Sequence, residues 1–376
     1  MINFFKRIRR NPKNKNYGWR FSGNERKYIE QVLSNGFRAG SDGAFTTKLE
    51  NTFSNLYGVK YAIACNSGTS TLHSILLAMG CKKGDEILTP ALTPLMCGLA
   101  PHYTGATPVF IDSDPKTFLM DPEDIKRKIN NKTKVIFVTH MYGGVCDMKT
   151  IMSIAKENNL LVLEDCAQCH MGKDDLGRFA GTIGDAGSWS FENSKQLTCG
   201  DGGIVTTDSE ILATNIRKYA GLGFKTLTAE SGKVRTDRDL LQNPDWERFE
   251  TIGYNYRMPN LNAALIVAQL EQLENFLVAK KFLAKSYEDF FKNTDFHFVS
   301  EPDNSKSNYW LNSIILKDRN TRDLFLEETN NQGIMTRPIW KLMSKLSMFK
   351  SSQCGDLRTS KWLEDRVVNI SSSVIL

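Results

Sequence analysis

The chain has 376 residues, of which 41% are hydrophobic and 24% are charged, a composition typical of a soluble globular protein. Its formal net charge is +6, but six bases near the N-terminus account for it, and the remainder has 42 bases and 42 acids. This balance argues against nucleic acid as a partner, because such binding depends on neutralising phosphates. No apolar run reaches the roughly 18 residues that cross a bilayer, and we find no secretory signal, so we expect a cytoplasmic protein.

Residues 1–20 are predicted to be a basic N-terminal arm. Its first sixteen positions contain no acid, and the bases there are Lys6, Arg7, Arg9, Arg10, Lys13 and Lys15. Residues 1–10 mix apolar and basic side chains, a pattern compatible with weak contact with an anionic membrane. A solvated terminus is the alternative that its short length favours.

The chain has eight cysteines, most of them in apolar segments, which is typical of reduced and buried thiols. Cys166 and Cys169 have the Cys-x-x-Cys spacing of redox and zinc sites. No second pair follows, so the sequence predicts no metal site. The neighbouring Asp165 would raise a thiol pKa, which disfavours redox chemistry.

Strand-like and helical segments alternate between residues 60 and 207. We predict strands at 61–65, 85–88, 108–112, 135–139, 160–164, 186–191 and 204–207, with helices at 66–79, 94–104, 121–130 and 148–158. This alternation predicts a large α/β domain over 21–255, with a mostly parallel central sheet flanked by helices. Ligands bind such sheets at the carboxyl ends of the strands.

The remainder of the chain has a different pattern. Residues 221–250 are polar and predict a long loop, and 261–284 predict one long amphipathic helix. A strand-like stretch at 308–316 and a helical one at 322–330 complete a smaller α+β domain, assigned to 256–376.

Lys195 and Asp165 are the most informative residues. Asp165 follows a buried-type strand, and Lys195 lies between two predicted strands, so both belong at the same edge of the sheet. A pyridoxal phosphate (PLP) enzyme needs this pair, because the lysine forms a Schiff base and the acid holds a proton on the pyridine nitrogen.

Other polar groups follow neighbouring strand ends. Gly68, Thr69 and Ser70 begin a predicted helix and offer donors to a phosphate, and Ser190 and Ser194 flank Lys195. Gln168 lies three residues after Asp165, and His140 follows another strand, at 135–139. Each has an ordinary structural explanation on its own, so the prediction depends on their convergence.

Six motifs in order resemble the DegT/DnrJ/EryC1/StrS sugar aminotransferases, from about residue 22 to the end. They are Asn66-Ser-Gly-Thr, His140-x-Tyr-Gly, Glu164-Asp-x-x-Gln168, Ser190-Phe-x-x-x-Lys195, Gly200-Asp-Gly-Gly203 and Gly253-Tyr-Asn-Tyr-Arg257. The resemblance implies a fold type I aminotransferase that binds PLP, is a homodimer with shared active sites, and takes a nucleotide sugar and an amino-acid donor. It implies synthesis of an amino sugar for a surface polysaccharide such as lipopolysaccharide.

The resemblance also implies roles for individual residues. Lys195 would form the internal aldimine, Asp165 would contact the pyridine nitrogen, and Gln168 would lie near the ring hydroxyl. Gly68, Thr69 and Ser190 would bind the cofactor phosphate, with Asn255 reaching the phosphate in the partner subunit. As substrate contacts we assign His140, Tyr142, Arg257, Trp310 and Arg337.

The substrate is less well defined than the cofactor. Segments 307–312, 336–340 and 368–372 resemble enzymes that aminate C4 of UDP-linked 4-keto-6-deoxy sugars, whereas 194–200 resembles the branch that acts on keto-cyclitols. We predict a nucleotide-linked keto sugar as the substrate, with glutamate or glutamine as donor and a keto-cyclitol as the alternative. Many relatives place an aromatic residue over the cofactor after Pro-x-x-Thr, where this chain has Pro94, or Leu92 two residues earlier.

Three other functions are weighed against this one. A PLP-dependent sugar dehydratase of this family typically replaces the lysine, which is present here. A non-catalytic homologue is disfavoured by the intact Lys195 and Asp165. An NAD-dependent dehydrogenase would need a Gly-x-Gly-x-x-Gly turn after its first strand, which this chain lacks.

Overall fold

The computed structural model describes residues 21–35, 44–115, 117–225, 227–230, 249–303 and 305–373. The basic arm and most of the predicted loop at 221–250 lie outside these residues. Within the described ranges, no helix combines the length and apolar character needed to cross a membrane.

A seven-stranded sheet forms the centre of the larger part. Its strands are β1 (Tyr61–Cys65), β2 (Glu86–Pro90), β3 (Thr107–Ile111), β4 (Thr133–Thr139), β5 (Leu161–Asp165), β7 (Ala186–Ser190) and β8 (Gly203–Thr207), in the order β1-β8-β7-β5-β4-β2-β3. The pairs among β3, β2, β4, β5 and β7 are parallel, whereas β8 runs antiparallel to both β7 and β1. The predicted α/β fold with a mostly parallel sheet is therefore confirmed.

Helices pack around this sheet. They are α1 (Glu25–Ser34), α2 (Ala44–Tyr57), α3 (Gly68–Ala78), α4 (Met96–Tyr103), α5 (Pro122–Lys128), α6 (Met148–Glu157), α7 (Glu210–Ala220) and α8 (Asn260–Leu270). The central strands β4 and β5 are rich in Val, Ile and Leu that are fully buried. Strands covered on both faces have this composition, because neither face meets water.

The strand ends meet at one edge because the central strands are parallel and in register. Thr139 at the end of β4 pairs with Asp165 at the end of β5, and Asp165 pairs with Ser188 in β7. The segments that follow these strands therefore emerge side by side, and this edge carries the candidate site.

A second, smaller sheet lies towards the C-terminus. Its strands β9 (His297–Phe298), β11 (Asn312–Ile315), β12 (Arg337–Pro338) and β13 (Val367–Ile370) are antiparallel, in the order β12-β13-β11-β9. Helices α9 (Leu273–Phe291), α10 (Arg319–Asn331) and α11 (Arg358–Glu364) accompany it, together with short 3₁₀ turns at Met343–Lys345 and Ser347–Phe349. A two-stranded ladder of β6 (Lys173–Asp174) and β10 (Ser305–Lys306) connects the two parts.

The prediction of one helix over 261–284 is wrong, because the chain forms α8 and α9 with a break at Glu271 and Gln272. Gln272 Nε2 donates to Glu25 Oε1 over 2.9 Å, and Glu271 Oε1 accepts from Tyr28 Oη over 2.5 Å. Contacts with α1 thus hold the break, and apolar periodicity carries no information about such contacts.

The predicted strand over 308–316 is shorter than expected. Only Asn312–Ile315 joins the sheet, and Tyr309 has a positive φ of 50°. Residues 308–310 instead contact the Lys195 segment, as described below.

A buried ion pair fixes the strand that leads into α3. Arg217 of α7 donates to both carboxylate oxygens of Glu50 in α2, over 3.0 and 2.9 Å. Glu50 also accepts from the backbone N–H of Ala64 in β1 over 2.8 Å, and both charged side chains are at least 90% buried. The pair therefore holds α2, α7 and β1 together.

Removing one partner should destabilise the fold, because a buried carboxylate would lose its countercharge. We expect Arg217→Met to lower the free energy of unfolding by about 3–5 kcal/mol. Urea denaturation followed by circular dichroism measures this. Lys306→Met, which removes an exposed partner of Glu301, is the control and should leave the midpoint near wild type. Equal effects of the two substitutions on the free energy of unfolding would show that the buried pair stabilises the fold no more than an exposed pair does.

Candidate active site

A cavity lies at the carboxyl edge of the large sheet, between this sheet and the smaller part. Its empty volume, including its opening to solvent, is about 810 Å³. Seven residues that the sequence singled out line it: Gly68, Thr69, Asp165, Gln168, Ser190, Lys195 and Trp310. The cavity thus joins residues from the ends of β1, β5 and β7 with residues from the smaller part.

Lys195 lies in the segment between β7 and β8, and its side chain is almost completely buried. Its Nζ is 4.4 Å from the ring centroid of Trp310, a distance that allows a cation–π contact. Burial lowers the pKa of Lys195, and the negative charges of Asp165 and Glu192 oppose this effect in part. A lowered pKa increases the fraction of neutral amine, which is the nucleophilic form.

Asp165 ends β5 and presents its carboxylate to the same cavity. Its Oδ1 accepts from the backbone N–H of Ala167 over 2.9 Å, and its Oδ2 accepts from the Cys97 thiol over 3.2 Å. Burial raises the pKa of Asp165, and the Ala167 N–H, the Cys97 thiol and the Lys195 charge act in the opposite direction. Asp165 is therefore a buried carboxylate held by two donors.

The orientation of the Gln168 amide follows from its hydrogen bond. Its Oε1 accepts from the backbone N–H of Tyr142 over 2.8 Å. The amide nitrogen is therefore the group that Gln168 offers as a donor, and this side chain lines the cavity. Such a donor suits an oxygen acceptor on a ligand.

The N-terminus of α3 opens onto the cavity. Ser67 caps the helix: its Oγ accepts from Ser70 N, and Ser70 Oγ accepts from Ser67 N, both over 3.1 Å. The Ser70 hydroxyl is thereby committed to the cap. The first N–H groups of a helix have no intrahelical acceptor, and with the helix dipole they favour an anion such as phosphate.

Gly68 allows Ser190 to approach this helix end closely. A Cβ at residue 68 would lie 2.7 Å from the Ser190 Cβ and 2.9 Å from its Oγ. Ser194 is oriented differently, because its hydroxyl donates to Glu192 Oε2 over 2.5 Å. Of the two serines, therefore, Ser190 borders the helix end.

Aromatic side chains of the smaller part form the opposite wall. Trp310 and Trp340 line the cavity, and the Tyr142 ring stacks on Trp340 with 5.3 Å between centroids. Tyr142 adopts φ 55°, and its hydroxyl accepts from Asn369 Nδ2 of β13 over 3.0 Å. Tyr142 lies behind this wall and supports it.

Asn308 connects the wall to the Lys195 segment. Its Nδ2 donates to Gln196 Oε1 over 2.8 Å, and its Oδ1 accepts from the backbone N–H of Trp310 over 2.9 Å. The Trp310 Nε1 donates to the backbone oxygen of Ser194 over 3.0 Å. These bonds fix Trp310 beside the lysine.

His140 is placed away from the cavity lining and is completely buried. Its Nδ1 accepts from the backbone N–H of Cys146 over 3.2 Å, and its Nε2 lies 2.9 Å from Glu164 Oε2. Both ring nitrogens are therefore engaged, so the geometry does not support the predicted substrate contact. His140 instead holds Glu164.

Glu164 organises the loop between β6 and β7. Its carboxylate accepts from the backbone N–H groups of Gly181, Ile183 and Gly184 over 2.9, 2.8 and 2.7 Å. Burial would raise the pKa of Glu164, but its bonds to His140 and to the loop outweigh burial and lower it. Glu164 is therefore a buried structural anion beside Asp165.

The segment with Asn255 is tied to the end of β1. Asn66 donates from its backbone N–H to Tyr256 O over 2.7 Å, and from Nδ2 to Asn255 O over 3.1 Å. The Asn255 side chain is exposed. Arg257 and Arg337 are also exposed, and neither lines the cavity.

Several lining residues were not predicted as site residues. They are Ser67, Leu72, Pro94, Met96, Ala167, Glu192, Ser194, Asp201 and Trp340. Pro94, which follows Thr93, lines the cavity, whereas Leu92 is buried outside the lining. Trp340 lies in the segment 336–340 that the sequence singled out, whereas Met96 carries no local signal, and only the packing of the smaller part and of α4 brings these two residues to the cavity.

Cys166 and Cys169 are completely buried near Asp165. Burial raises the pKa of both thiols well above the ordinary value, and the nearby Glu164 raises them further. Such thiols are poor nucleophiles, in line with the sequence-based argument against redox chemistry.

His170 lies in an aromatic layer behind Lys195. It stacks on Phe191 with 5.8 Å between ring centroids, and its buried Nε2 has no hydrogen-bond partner among the residues that the structure describes. Burial lowers the pKa of His170 from 6.5 to about 3, and the positive charge of Lys195 contributes. The ring is therefore neutral in the folded protein at neutral pH.

This histidine should make stability depend on pH. Below pH 6.5 the unfolded chain gains a proton on His170 that the folded chain does not, so stability falls as the pH falls. We expect a loss of about 2 kcal/mol between about pH 6.5 and 5 from this residue. The measurement is the pH dependence of urea denaturation. His170→Phe should flatten the slope, whereas His102→Phe, at an exposed histidine, should keep it. A wild-type slope in His170→Phe would contradict the assignment.

Comparisons with known proteins agree with this geometry. Residues 21–376 match the model of the DegT/DnrJ/EryC1/StrS aminotransferase family. The chain is 35% identical to a GDP-perosamine synthase of Escherichia coli O157:H7, covering 87% of this chain and 85% of the relative. It is 33% identical to a GDP-perosamine synthase of Caulobacter vibrioides, over 91% and 88%. An aminotransferase structure from Psychrobacter cryohalolentis superimposes with a TM-score of 0.80 at 27% identity, over 93% and 91%.

The fold and the site thus define a fold type I aminotransferase. The chain belongs to the DegT/DnrJ/EryC1/StrS aminotransferase family. It is a pyridoxal phosphate-dependent sugar aminotransferase, and the family, fold and cofactor predicted from the sequence are confirmed.

Proposed function

We propose that this enzyme transfers an amino group from glutamate or glutamine to a nucleotide-linked 4-keto-6-deoxy sugar, using Lys195 as its central residue. The observation that carries the proposal is the placement of Lys195, Asp165, Gln168 and the α3 N-terminus around one cavity. The names of the relatives favour a GDP-linked sugar over a UDP-linked sugar or a keto-cyclitol.

The donors and acceptors of the cavity fit PLP. A buried carboxylate suits a protonated pyridine nitrogen, the Gln168 amide nitrogen suits a phenolic oxygen, and the α3 N-terminus with Gly68, Thr69 and Ser190 suits the phosphate. When bound, PLP supplies a conjugated ring that stabilises negative charge developing on a substrate carbon. Lys195 is the amine to which the cofactor would be attached.

Side chains of the enzyme are proposed to hold and transfer the protons of the reaction. Asp165 is proposed to keep a proton on the ring nitrogen, which a buried anion favours electrostatically. Lys195 would remove and return the proton at the substrate carbon, and its lowered pKa favours the neutral amine that acts as the base.

The aromatic wall is proposed to bind the sugar. Trp310 and Trp340 offer flat apolar faces, and Glu192 and Asp201 offer acceptors for hydroxyl groups in the same cavity. Tyr142 is proposed to act by supporting Trp340. The exposed Arg257 and Arg337 are charges to which a diphosphate could be drawn, and they remain proposed substrate contacts.

We also propose a homodimer in which the partner completes each site. The exposed Tyr103 packs on His73 and His73 on Tyr254, with centroid distances of 5.6 and 4.9 Å, so one aromatic patch joins α4 to the Asn255 segment. Ile252 nearby is 85% exposed. A second copy on this patch would bury it and bring Asn255 towards the partner's cofactor phosphate.

We further propose the division into domains at 21–255 and 256–376.

A panel of keto substrates tests the proposed activity. GDP-, UDP- and dTDP-linked 4-keto-6-deoxy sugars and a keto-cyclitol are each incubated with glutamate or glutamine, and the amino product is detected by mass spectrometry. We expect the highest kcat/KM with a GDP-linked sugar. Lys195→Ala should abolish covalent PLP attachment and lower turnover by at least about 10³-fold. Turnover of the keto-cyclitol alone would contradict the sugar proposal, and wild-type turnover by Lys195→Ala would contradict the role of the lysine.

Mixing two inactive variants tests the shared site. If Asn255 serves the partner's site, a dimer of one Lys195→Ala and one Asn255→Ala chain has one intact site. Random pairing in an equal mixture should then restore about a quarter of wild-type activity. Lys195→Ala mixed with Asn66→Ala is an informative comparison, because Asn66 holds the Asn255 segment of its own chain. No recovery in the Asn255 mixture would show that Asn255 does not act in the partner's site.

A further inference from the structure

Cys97 makes a direct contact with Asp165 that the proposed function does not use. It is the second residue of α4, is completely buried, and its Sγ lies 3.2 Å from Asp165 Oδ2. The other carboxylate oxygen of Asp165 is bound to the backbone N–H of Ala167. Within the described residues, the Cys97 thiol is thus the side chain that donates a hydrogen bond to this carboxylate.

Two hydroxyls direct the thiol proton towards Asp165. Thr93 Oγ1 and Thr139 Oγ1 lie 3.2 and 3.5 Å from Sγ and are placed to donate to the sulfur. Within the described part of the chain, the third hydrogen-bond partner of the sulfur is the Asp165 carboxylate, which can only accept when ionised. Burial raises the pKa of Cys97 well above its ordinary value, as does the charge of Asp165, so the thiol keeps its proton.

A thiol has a particular consequence at this position. S–H is a weak donor, whereas an O–H donor to a carboxylate makes a short and strong bond that lowers the carboxylate pKa. A weak donor orients the carboxylate while leaving its negative charge available to another group. For Asp165, that other group is the protonated nitrogen of the cofactor ring.

We propose that Cys97 is a positioning residue, which holds the Asp165 carboxylate in orientation for the cofactor nitrogen without strongly reducing its basicity. This inference rests on the role proposed for Asp165. Thr93 and Thr139 support it by holding the thiol. Cys97 acts only through Asp165 and performs no covalent chemistry.

The S–H stretching band in the infrared spectrum tests the contact without any cofactor. The difference between apoenzyme spectra of wild type and Cys97→Ser isolates the Cys97 band from the bands of the other seven cysteines. We expect a band shifted to lower frequency than that of a free thiol, and a return to higher frequency in the Asp165→Asn background, where the acceptor is neutral. A band that is unaffected by Asp165→Asn overturns the proposal.

Affinity for PLP tests the consequence. Loss of one hydrogen bond that orients Asp165 should weaken PLP binding to the Cys97→Ala apoenzyme about three- to tenfold, measured by quenching of tryptophan fluorescence. Cys97→Ser should restore the affinity. Because its hydroxyl is a stronger donor than the thiol, the absorbance change of the bound cofactor in a pH titration should have its midpoint at a lower pH than in wild type. Cys81→Ala, at a buried cysteine outside the cavity lining, is the control and should bind PLP as wild type does.

The outcomes separate this proposal from the proposed function. If wild type binds PLP but Cys97→Ala binds it as tightly as Cys81→Ala does, Cys97 has no positioning role, although the aminotransferase activity stands. The same conclusion follows if Cys97→Ser fails to restore affinity. If wild type transfers amino groups but Asp165→Asn leaves PLP affinity and its pH dependence unchanged, the role of Asp165 itself is wrong.

Discussion

Parallel pairing of β4, β5 and β7 is the constraint on which the rest of the site depends. Register between Thr139, Asp165 and Ser188 brings three chain segments out at one edge. Backbone hydrogen bonds of the sheet therefore place Asp165 and the Lys195 segment side by side, independently of side-chain contacts. A one-residue slip would exchange the faces to which Glu164 and Asp165 point and take these buried carboxylates away from their hydrogen-bond donors, so the register is strongly specified.

Burial shifts the pKa values of the charged groups, and hydrogen bonds offset the free-energy cost of burying them. Glu164 and Asp165 are adjacent acids in the same buried strand, yet their surroundings differ. Three backbone N–H groups and His140 satisfy Glu164, and its pKa is lowered. Asp165 has fewer donors and a raised pKa, so it is more basic than an ordinary aspartate carboxylate. One acid thus organises a loop and the other faces the cavity.

The smaller part of the chain contributes to the site as well as closing it. Asn308 and Trp310 bond to the segment on either side of Lys195, and Trp310 covers its amine. Residues 308–310 can form these bonds because they do not adopt regular strand geometry. A change in the position of the smaller part would therefore alter the surroundings of the Lys195 amine.

The sequence by itself determined the family, the fold class and the cofactor, because alternating strands and helices have strong local signals and the six motifs keep a fixed order. It also indicated Gly68, Thr69, Asp165, Gln168, Ser190, Lys195 and Trp310, which the structure places around one cavity. Only the tertiary structure separated His140 from this group, added Trp340 and Met96, and divided the predicted helix at 261–284 into two. Those features depend on contacts between residues far apart in the chain, such as Gln272 with Glu25 and His140 with Glu164. Local periodicity and motif spacing contain no information about such contacts.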